Sequence, residues 1–105
     1  MKMVQFDTVI HAPNRLQICA FLAPLEEAEF KALRQALEVS DSVLSKHIKQ
    51  LEDAGYVKQR KSTVDGRQRT WASLTDPGRA AFAQHVAALR SLVDSAKLNG
   101  GDTTG

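Results

Sequence analysis

The chain of 105 residues, 43% hydrophobic and 25% charged, has the length and composition of one globular domain, predicted over residues 1–98. Its one cysteine excludes an internal disulfide and a multi-cysteine metal site, and no apolar run approaches the ~20 residues of a membrane span, so a cytoplasmic protein without membrane contact is expected. The net charge of +2 is unevenly placed, because residues 42–69 hold seven basic and three acidic side chains while the rest is slightly acidic.

The first predicted helix begins at Pro13 and ends near Pro24. Proline suits the first turn of a helix, and apolar side chains recur three residues apart on one face, at Leu16, Cys19 and Leu22. Before this helix, residues 1–10 show no clear period. The stretch FDTVI is compatible with a short strand or with the first turn of a helix.

Two further helices are predicted before Gly55. The second covers LEEAEFKALRQAL, residues 25–37, where acids precede bases in agreement with the helix dipole and the inner stripe is Phe30, Leu33 and Leu37. The residues LEVS then interrupt the pattern, and Ser40 is a good N-cap. A third helix is predicted from there to Ala54, where Gly55 ends it, with the inner stripe Leu44, Ile48 and Leu51.

A β-hairpin is predicted after the third helix. The β-prone runs YVKQRKSTV and RQRTWASLT flank Asp65-Gly66, which is a strong signal for a hairpin turn. A two-residue turn fixes the register, and the predicted pairs are Val64 with Arg67, Arg60 with Trp71, and Val57 with Leu74.

The last helix is predicted over residues 76–98, with Asp76 as its cap and Pro77 in its first turn. Its apolar stripe offers more surface than one small domain easily covers, and we predict a dimer interface there, formed by Phe82, Val86, Leu89 and Val93. The alternative is that this helix only closes its own core. The polar, glycine-rich residues 99–105 are predicted to be a disordered tail.

The outward side of the predicted helix 40–54 is rich in serine, lysine and glutamine. Serine and glutamine can donate to and accept from base edges, and lysine can reach guanine or phosphate. The residues predicted to contact DNA from this helix are Ser40, Ser42, Ser45, Lys46, Lys49 and Gln50. A solvated helix surface explains the same residues, so the helix alone does not decide between the two interpretations.

The hairpin adds a second basic feature directly after this helix. Five positive charges surround one turn, which suits a phosphate backbone, although a solvated charged face is the alternative. They are Lys58, Arg60, Lys61, Arg67 and Arg69. Within the predicted wing, residues 58–70, the candidate DNA-binding residues are Arg60, Lys61, Arg67 and Arg69.

The stretch ALEVSDSVLSKHIKQLEDAGYVKQRKSTVDGRQRTWASLTDPGRAAF resembles the winged-helix core of bacterial transcriptional regulators of the MarR and ArsR kind, especially their short relatives with little beyond the DNA-binding domain. The strongest pieces are LSKHIKQLEDAGYV, the basic DGRQRT and LTDPGR, and the likeness extends upstream to HAPNRLQICAFL. One departure is Glu38, where such regulators often have glycine in the turn.

The resemblance implies an α+β, mostly helical fold: a winged helix-turn-helix with a three-helix core, a two-stranded wing and a C-terminal dimerisation helix. It further implies a homodimeric regulator, expected to be a repressor, that binds double-stranded promoter DNA. Helix 40–54 would enter the major groove and the wing would lie on the backbone or minor groove. The rival hypothesis is a winged helix that docks an acidic protein partner.

No enzyme, cofactor or metal is predicted. Cys19 lies on an inward face and is read as a core thiol. The histidines His11, His47 and His85 are too far apart in sequence for a recognised metal-ligand spacing. The residues also offer no set of nucleophile, base and orienting group that could form a catalytic site. The sequence identifies no small-molecule effector. A pocket for such a ligand would have to lie at the dimer junction.

Overall fold

The computed structural model describes residues 6–99, with side chains described up to Ala96. Its helices are α1 (Thr8–His11), α2 (Pro13–Leu22), α3 (Phe30–Leu37), α4 (Asp41–Asp53) and α5 (Asp76–Asn99). Its strands are β1 (Ala28–Glu29), β2 (Val57–Val64) and β3 (Arg67–Leu74), which form one antiparallel sheet in the order β1-β3-β2. The predicted mostly helical winged-helix fold is confirmed.

The start of the described chain is a short helix rather than a strand. Asp7 caps α1, because its carboxylate accepts hydrogen bonds from the backbone N–H groups of Val9 (2.9 Å) and Ile10 (3.2 Å). Its other oxygen accepts a hydrogen bond from the Tyr56 hydroxyl at 2.6 Å. Asp7 therefore ties α1 to the segment that follows α4.

The predicted helix 25–37 is wrong in its first part, because α3 begins only at Phe30. Ala28 and Glu29 form β1 instead and pair with Ala72 and Trp71 of β3. This pairing satisfies backbone groups along one edge of β3 and buries Ala28 in the core, at 6% exposure. The wing has the two predicted strands, β2 and β3, and β1 adds a third strand to the sheet within the described residues.

The turn of the helix-turn-helix and its second helix agree with the prediction, since α3 ends at Leu37 and α4 covers Asp41–Asp53. Glu38 ends α3 in the left-handed region, with φ 55° and ψ 47°. The hydroxyl of Ser40 accepts a hydrogen bond from the Val43 N–H at 3.2 Å and thereby caps α4. Gly55, with φ 83°, lies beyond the C-terminal end of α4.

The hairpin has the predicted register. All eight residues of β2 pair with β3, from Val57 opposite Leu74 to Val64 opposite Arg67. Asp65 (φ 50°) and Gly66 (φ 76°) make the two-residue turn, whose positive φ angles match the twist of the strands.

The cap of α5 is Thr75 rather than the predicted Asp76, which is already the first helical residue. The Thr75 hydroxyl accepts from the Gly78 N–H at 3.0 Å and donates to the Gly55 carbonyl at 2.6 Å. A side chain at Gly78 would collide with the backbone, because a Cβ there would lie 2.1 Å from the Tyr56 carbonyl oxygen. The helix ends at Asn99, and residues 100–105 of the predicted tail lie outside the described residues.

The core lies where α2, α3, α4 and the inner face of the sheet meet. Its fully buried members include Ile18, Cys19, Leu22, Leu33, Leu44, Ile48 and Leu51. Burial raises the pKa of the Cys19 thiol to about 11, helped by the nearby charge of Asp7. The thiolate is therefore scarce at neutral pH, in agreement with the core thiol predicted from the sequence.

Candidate nucleic-acid interface

The outward face of α4 is formed by Ser42, Lys46 and Lys49, all exposed. They lie opposite the buried stripe of Leu44, Ile48 and Leu51, as the helical period predicts. Lys49 is not independent, because its Nζ lies 2.9 Å from the Asp53 carboxylate one turn later, and this hydrogen bond raises the pKa of Lys49. Lys46 has no such ion pair among the described residues.

The N-terminal end of α4 carries two serines close together. Ser40 already caps the helix, and its Oγ lies 3.2 Å from the Oγ of Ser42. Because the helix N-terminus carries a partial positive charge and open N–H groups, this end of α4 is suited to an anion such as phosphate.

A groove of about 410 Å³ joins α4 to the wing. Asp41 and Ser45 line it from α4, and Glu29 lines it from β1. The other walls are formed by residues of α3 and β3, among them Lys31, Arg34, Gln68, Arg69 and Thr70. Arg34 also bridges α3 to α4, since its Nε lies 3.0 Å from the Asp41 carboxylate. Residues of the predicted recognition helix and of the predicted wing thus share one concave surface.

The opposite flank of α4 contacts α2. Arg15 of α2 donates hydrogen bonds to the Gln50 side-chain oxygen and to the Val9 carbonyl. Its Nη1 also lies 3.4 Å from Nδ1 of His47, and the Asn14 amide lies 3.3 Å from the other ring nitrogen. Burial lowers the pKa of His47, and the charges of Arg15 and Lys46 lower it further, so this imidazole is neutral at pH 7.

On the outer face of the sheet, the guanidinium carbon of Arg60 lies 5.2 Å from the ring centroid of Trp71, its predicted partner in the strand register. Arg60 also donates two hydrogen bonds to Glu27, at 2.6 and 3.1 Å, and this contact lowers the pKa of Glu27. A looser ion pair joins Arg69 to Glu29 of β1 at 3.6 Å. Two of the four predicted wing residues are therefore already paired with carboxylates.

The other two, Lys61 and Arg67, are exposed and have no ion pair among the described residues. Strand alternation puts them on different faces. Lys61 shares the face of Gln59, whose amide donates to Glu52 of α4 at 3.3 Å, whereas Arg67 shares the face of Arg60 beside the turn. Lys58, Arg60, Arg67 and Arg69 thus share the outer face of the sheet, and Lys61 lies on the other face.

Several residues of this surface were missed by the sequence reasoning. Arg15, Glu27 and Glu29 are the clearest cases, since each contacts a predicted DNA-binding residue. These contacts span more than thirty positions of sequence, and no local period or motif marks them.

Within residues 6–99, no three His, Cys, Asp or Glu side chains are grouped so as to hold a metal ion. None of the helices in the described part of the chain has the length and apolar character that crossing a bilayer requires.

A helix-turn-helix followed by a basic hairpin and a long last helix defines the winged-helix class of DNA-binding proteins. Residues 14–93 match the family model described as "Winged helix DNA-binding domain", and the chain belongs to this family. The MarR-like resemblance predicted from the sequence is confirmed, and the protein is a DNA-binding regulator.

Proteins from other organisms are similar to this chain over most of its length. An uncharacterized protein of Methanocaldococcus jannaschii is 37% identical over 81 residues, which are 77% of this chain and 84% of that protein. The transcriptional regulator homologue protein from Pyrococcus horikoshii OT3 has a TM-score of 0.80 at 31% identity, over 85% of this chain and 88% of that one. The YusO protein from Bacillus subtilis, with a TM-score of 0.75 at 22% identity over 84% of this chain and 62% of that one, shares the fold.

Proposed function

We propose that this protein is a homodimeric transcriptional repressor that binds a two-fold symmetric site in double-stranded DNA. The observation that carries the proposal is the groove shared by Ser45 of α4 and Arg69 of the wing, next to the exposed Lys46. In this proposal α4 lies in the major groove and the wing follows the backbone or the minor groove. Such a protein would act in the cytoplasm and repress by covering a promoter.

The side chains divide into two roles. Those facing straight out of α4 or flanking it would read base edges, and they are Ser42, Ser45, Lys46, Lys49 and Gln50. Ser40 would contact a phosphate at the N-terminus of α4. The wing residues Lys61 and Arg67 would contact other phosphates of the backbone. Arg60 and Arg69 would reach phosphate only by leaving Glu27 and Glu29, so their net contribution to affinity would be smaller.

The proposed dimer uses the apolar stripe of α5. Phe82 packs partly on the core of its own subunit, whereas Val86, Leu89 and Val93 lie outside that cluster. A second copy that covers this stripe would give the two-fold symmetry that a palindromic site requires, with half-sites about 34 Å apart.

Two single-charge variants test the DNA-binding proposal. Lys46→Ala should relax sequence preference, because a side chain that contacts a base edge contributes about 1–3 kcal/mol of discrimination. Arg67→Ala should weaken all sequences alike, because a phosphate contact carries no sequence information. The measurement is fluorescence anisotropy over a range of salt concentrations. It compares a duplex selected for tight binding to the unaltered protein, called the selected duplex, with a scrambled duplex.

The two variants are controls for each other, since each removes one positive charge. Arg67→Ala should reduce the slope of log K against log salt by about 1, whereas Lys46→Ala should change it less, because a base contact neutralises no phosphate. Equal affinity of the unaltered protein for selected and scrambled DNA at moderate salt would contradict the proposal and favour an acidic protein partner.

A further inference from the structure

Arg15 occupies an unusual position between α1, α2 and α4. Its Nε donates to the Val9 carbonyl, which cannot complete a helical hydrogen bond because the residue four positions later is Pro13 and has no N–H. Its Nη1 donates to Oε1 of Gln50. The guanidinium is thus fixed by α1 on one side and holds a residue of the recognition helix on the other.

The chemistry of these two groups fixes the orientation of the Gln50 amide. Arginine has only donors, so the atom of Gln50 that faces Arg15 must be the oxygen, and the NH₂ group is left to face elsewhere. One lone pair of this oxygen is occupied. The positive guanidinium beside it disfavours the approach of any further donor.

Base recognition depends on this orientation. A free glutamine pairs best with adenine, because it donates to N7 and accepts from the N6 amino group. Guanine offers two acceptors in the major groove, N7 and O6, and no donor. With its oxygen held by Arg15, Gln50 presents donors to DNA and matches guanine.

We propose that Arg15 is a specificity-determining positioning residue, which makes Gln50 a hydrogen-bond donor and directs the base pair read by Gln50 toward guanine and away from adenine. This inference rests on the proposed function, since it requires α4 in the major groove. Arg15 itself need not touch DNA.

The test is competition binding with the selected duplex, varied at one base pair at a time. The base pair read by Gln50 is the one at which Gln50→Ala abolishes discrimination. At that pair the unaltered protein should prefer guanine to adenine by about 5- to 150-fold, the range expected for one base contact. Arg15→Met, which keeps the aliphatic stem and removes the donors, should abolish or reverse this preference.

The double variant Arg15→Met with Gln50→Ala should behave like Gln50→Ala alone, because Arg15 acts through Gln50. A uniform loss of affinity in Arg15→Met with an unchanged guanine-to-adenine ratio would overturn the inference and indicate a phosphate contact. An adenine preference in the unaltered protein would overturn it as well. Absence of any sequence preference in the unaltered protein is a different result, because it removes the proposed function before any variant is compared.

A second measurement does not depend on the folding of a variant. In a crystal structure of the unaltered protein with its selected duplex, the inference requires Gln50 Nε2 within hydrogen-bond distance of guanine N7 or O6, with Arg15 still on Oε1. Arg15 seated on a phosphate, with Gln50 released, would overturn it.

Discussion

Of the three histidines, His85 is the buried one, with 2% of its surface exposed. Its Nε2 lies 3.4 Å from Nδ1 of His11, its Nδ1 has no hydrogen-bond partner among the described residues, and the ring of Phe6 lies 5.3 Å away. Burial lowers the pKa of His85, the nearby His11 lowers it further, and Asp7 opposes this in part. The folded protein therefore holds His85 as a neutral imidazole.

This burial predicts that stability falls on acidification. In the unfolded chain the His85 pKa is about 6.5, so below that value the unfolded state binds a proton that the folded state resists. The contribution is complete above pH 6.5 and is lost as pH falls from there toward the lower folded-state pKa. Urea unfolding of the unaltered protein at pH 7.5 and 5.5 should show a lower free energy of unfolding at pH 5.5.

The matched variant is His85→Leu, which is apolar and of similar size. It should lose less stability between the two pH values, and the difference isolates His85 because His47, whose pKa is also lowered, is present in both proteins. Equal losses in the two proteins would contradict the prediction.

At the scale of elements, the turn between α3 and α4 carries a local strain. Glu38 has φ 55°, a left-handed conformation that costs a non-glycine residue about 1–2 kcal/mol. Its side chain is exposed and makes no hydrogen bond or ion pair with any described residue, so glycine would remove no such contact. The flexibility of glycine in the unfolded chain offsets part of the gain.

Glu38→Gly should therefore raise the free energy of unfolding by about 0.5–1 kcal/mol. Urea denaturation at neutral pH measures it. Glu38→Ala is the control, because alanine retains the Cβ that makes the conformation costly and should give no comparable gain. A Glu38→Gly protein no more stable than Glu38→Ala would show that the turn is not strained.

Elements with a strong local signal were predicted well from the sequence. Ser40 and Gly55 bound α4, and Asp65-Gly66 fixes the hairpin register, since a two-residue turn permits only one pairing. β1 could not be predicted, because a two-residue strand has no period and exists only through its pairing with β3. The cap at Thr75 was missed because the following Asp76 is also a good capping residue.

The candidate site was predictable only in part, for the same reason. Which face of α4 is exposed follows from the helical period, and so does the exposure of Lys46. The partners of Gln50, Arg60 and Arg69 come from distant segments of the chain and depend on how α2 and β1 pack. A local pattern can predict which side chains are available, whereas the tertiary fold decides which of them are already engaged.

At the scale of the whole molecule, α5 gives the protein an elongated shape. The principal dimensions are 60 × 26 × 22 Å, and a helix of 24 residues is about 36 Å long. The first half of α5 packs on the core through Ala81 and Phe82. Farther along, Leu92 and Val93 are 48% and 51% exposed, so the second half presents apolar side chains that its own subunit does not cover.

If a second copy covers this stripe, as proposed, Val93→Glu should break the dimer. Burying one valine contributes about 1.5 kcal/mol or more, and two-fold symmetry counts each substitution twice, so the dimer dissociation constant should rise more than about 100-fold. Sedimentation equilibrium should find twice the chain mass of 11.5 kDa for the unaltered protein and the single mass for the variant. The control is Ser91→Glu, which adds the same charge about 160° around the helix and should leave the dimer intact. A dimer that survives Val93→Glu, or an unaltered protein that is monomeric at micromolar concentration, would exclude α5 as the dimer interface.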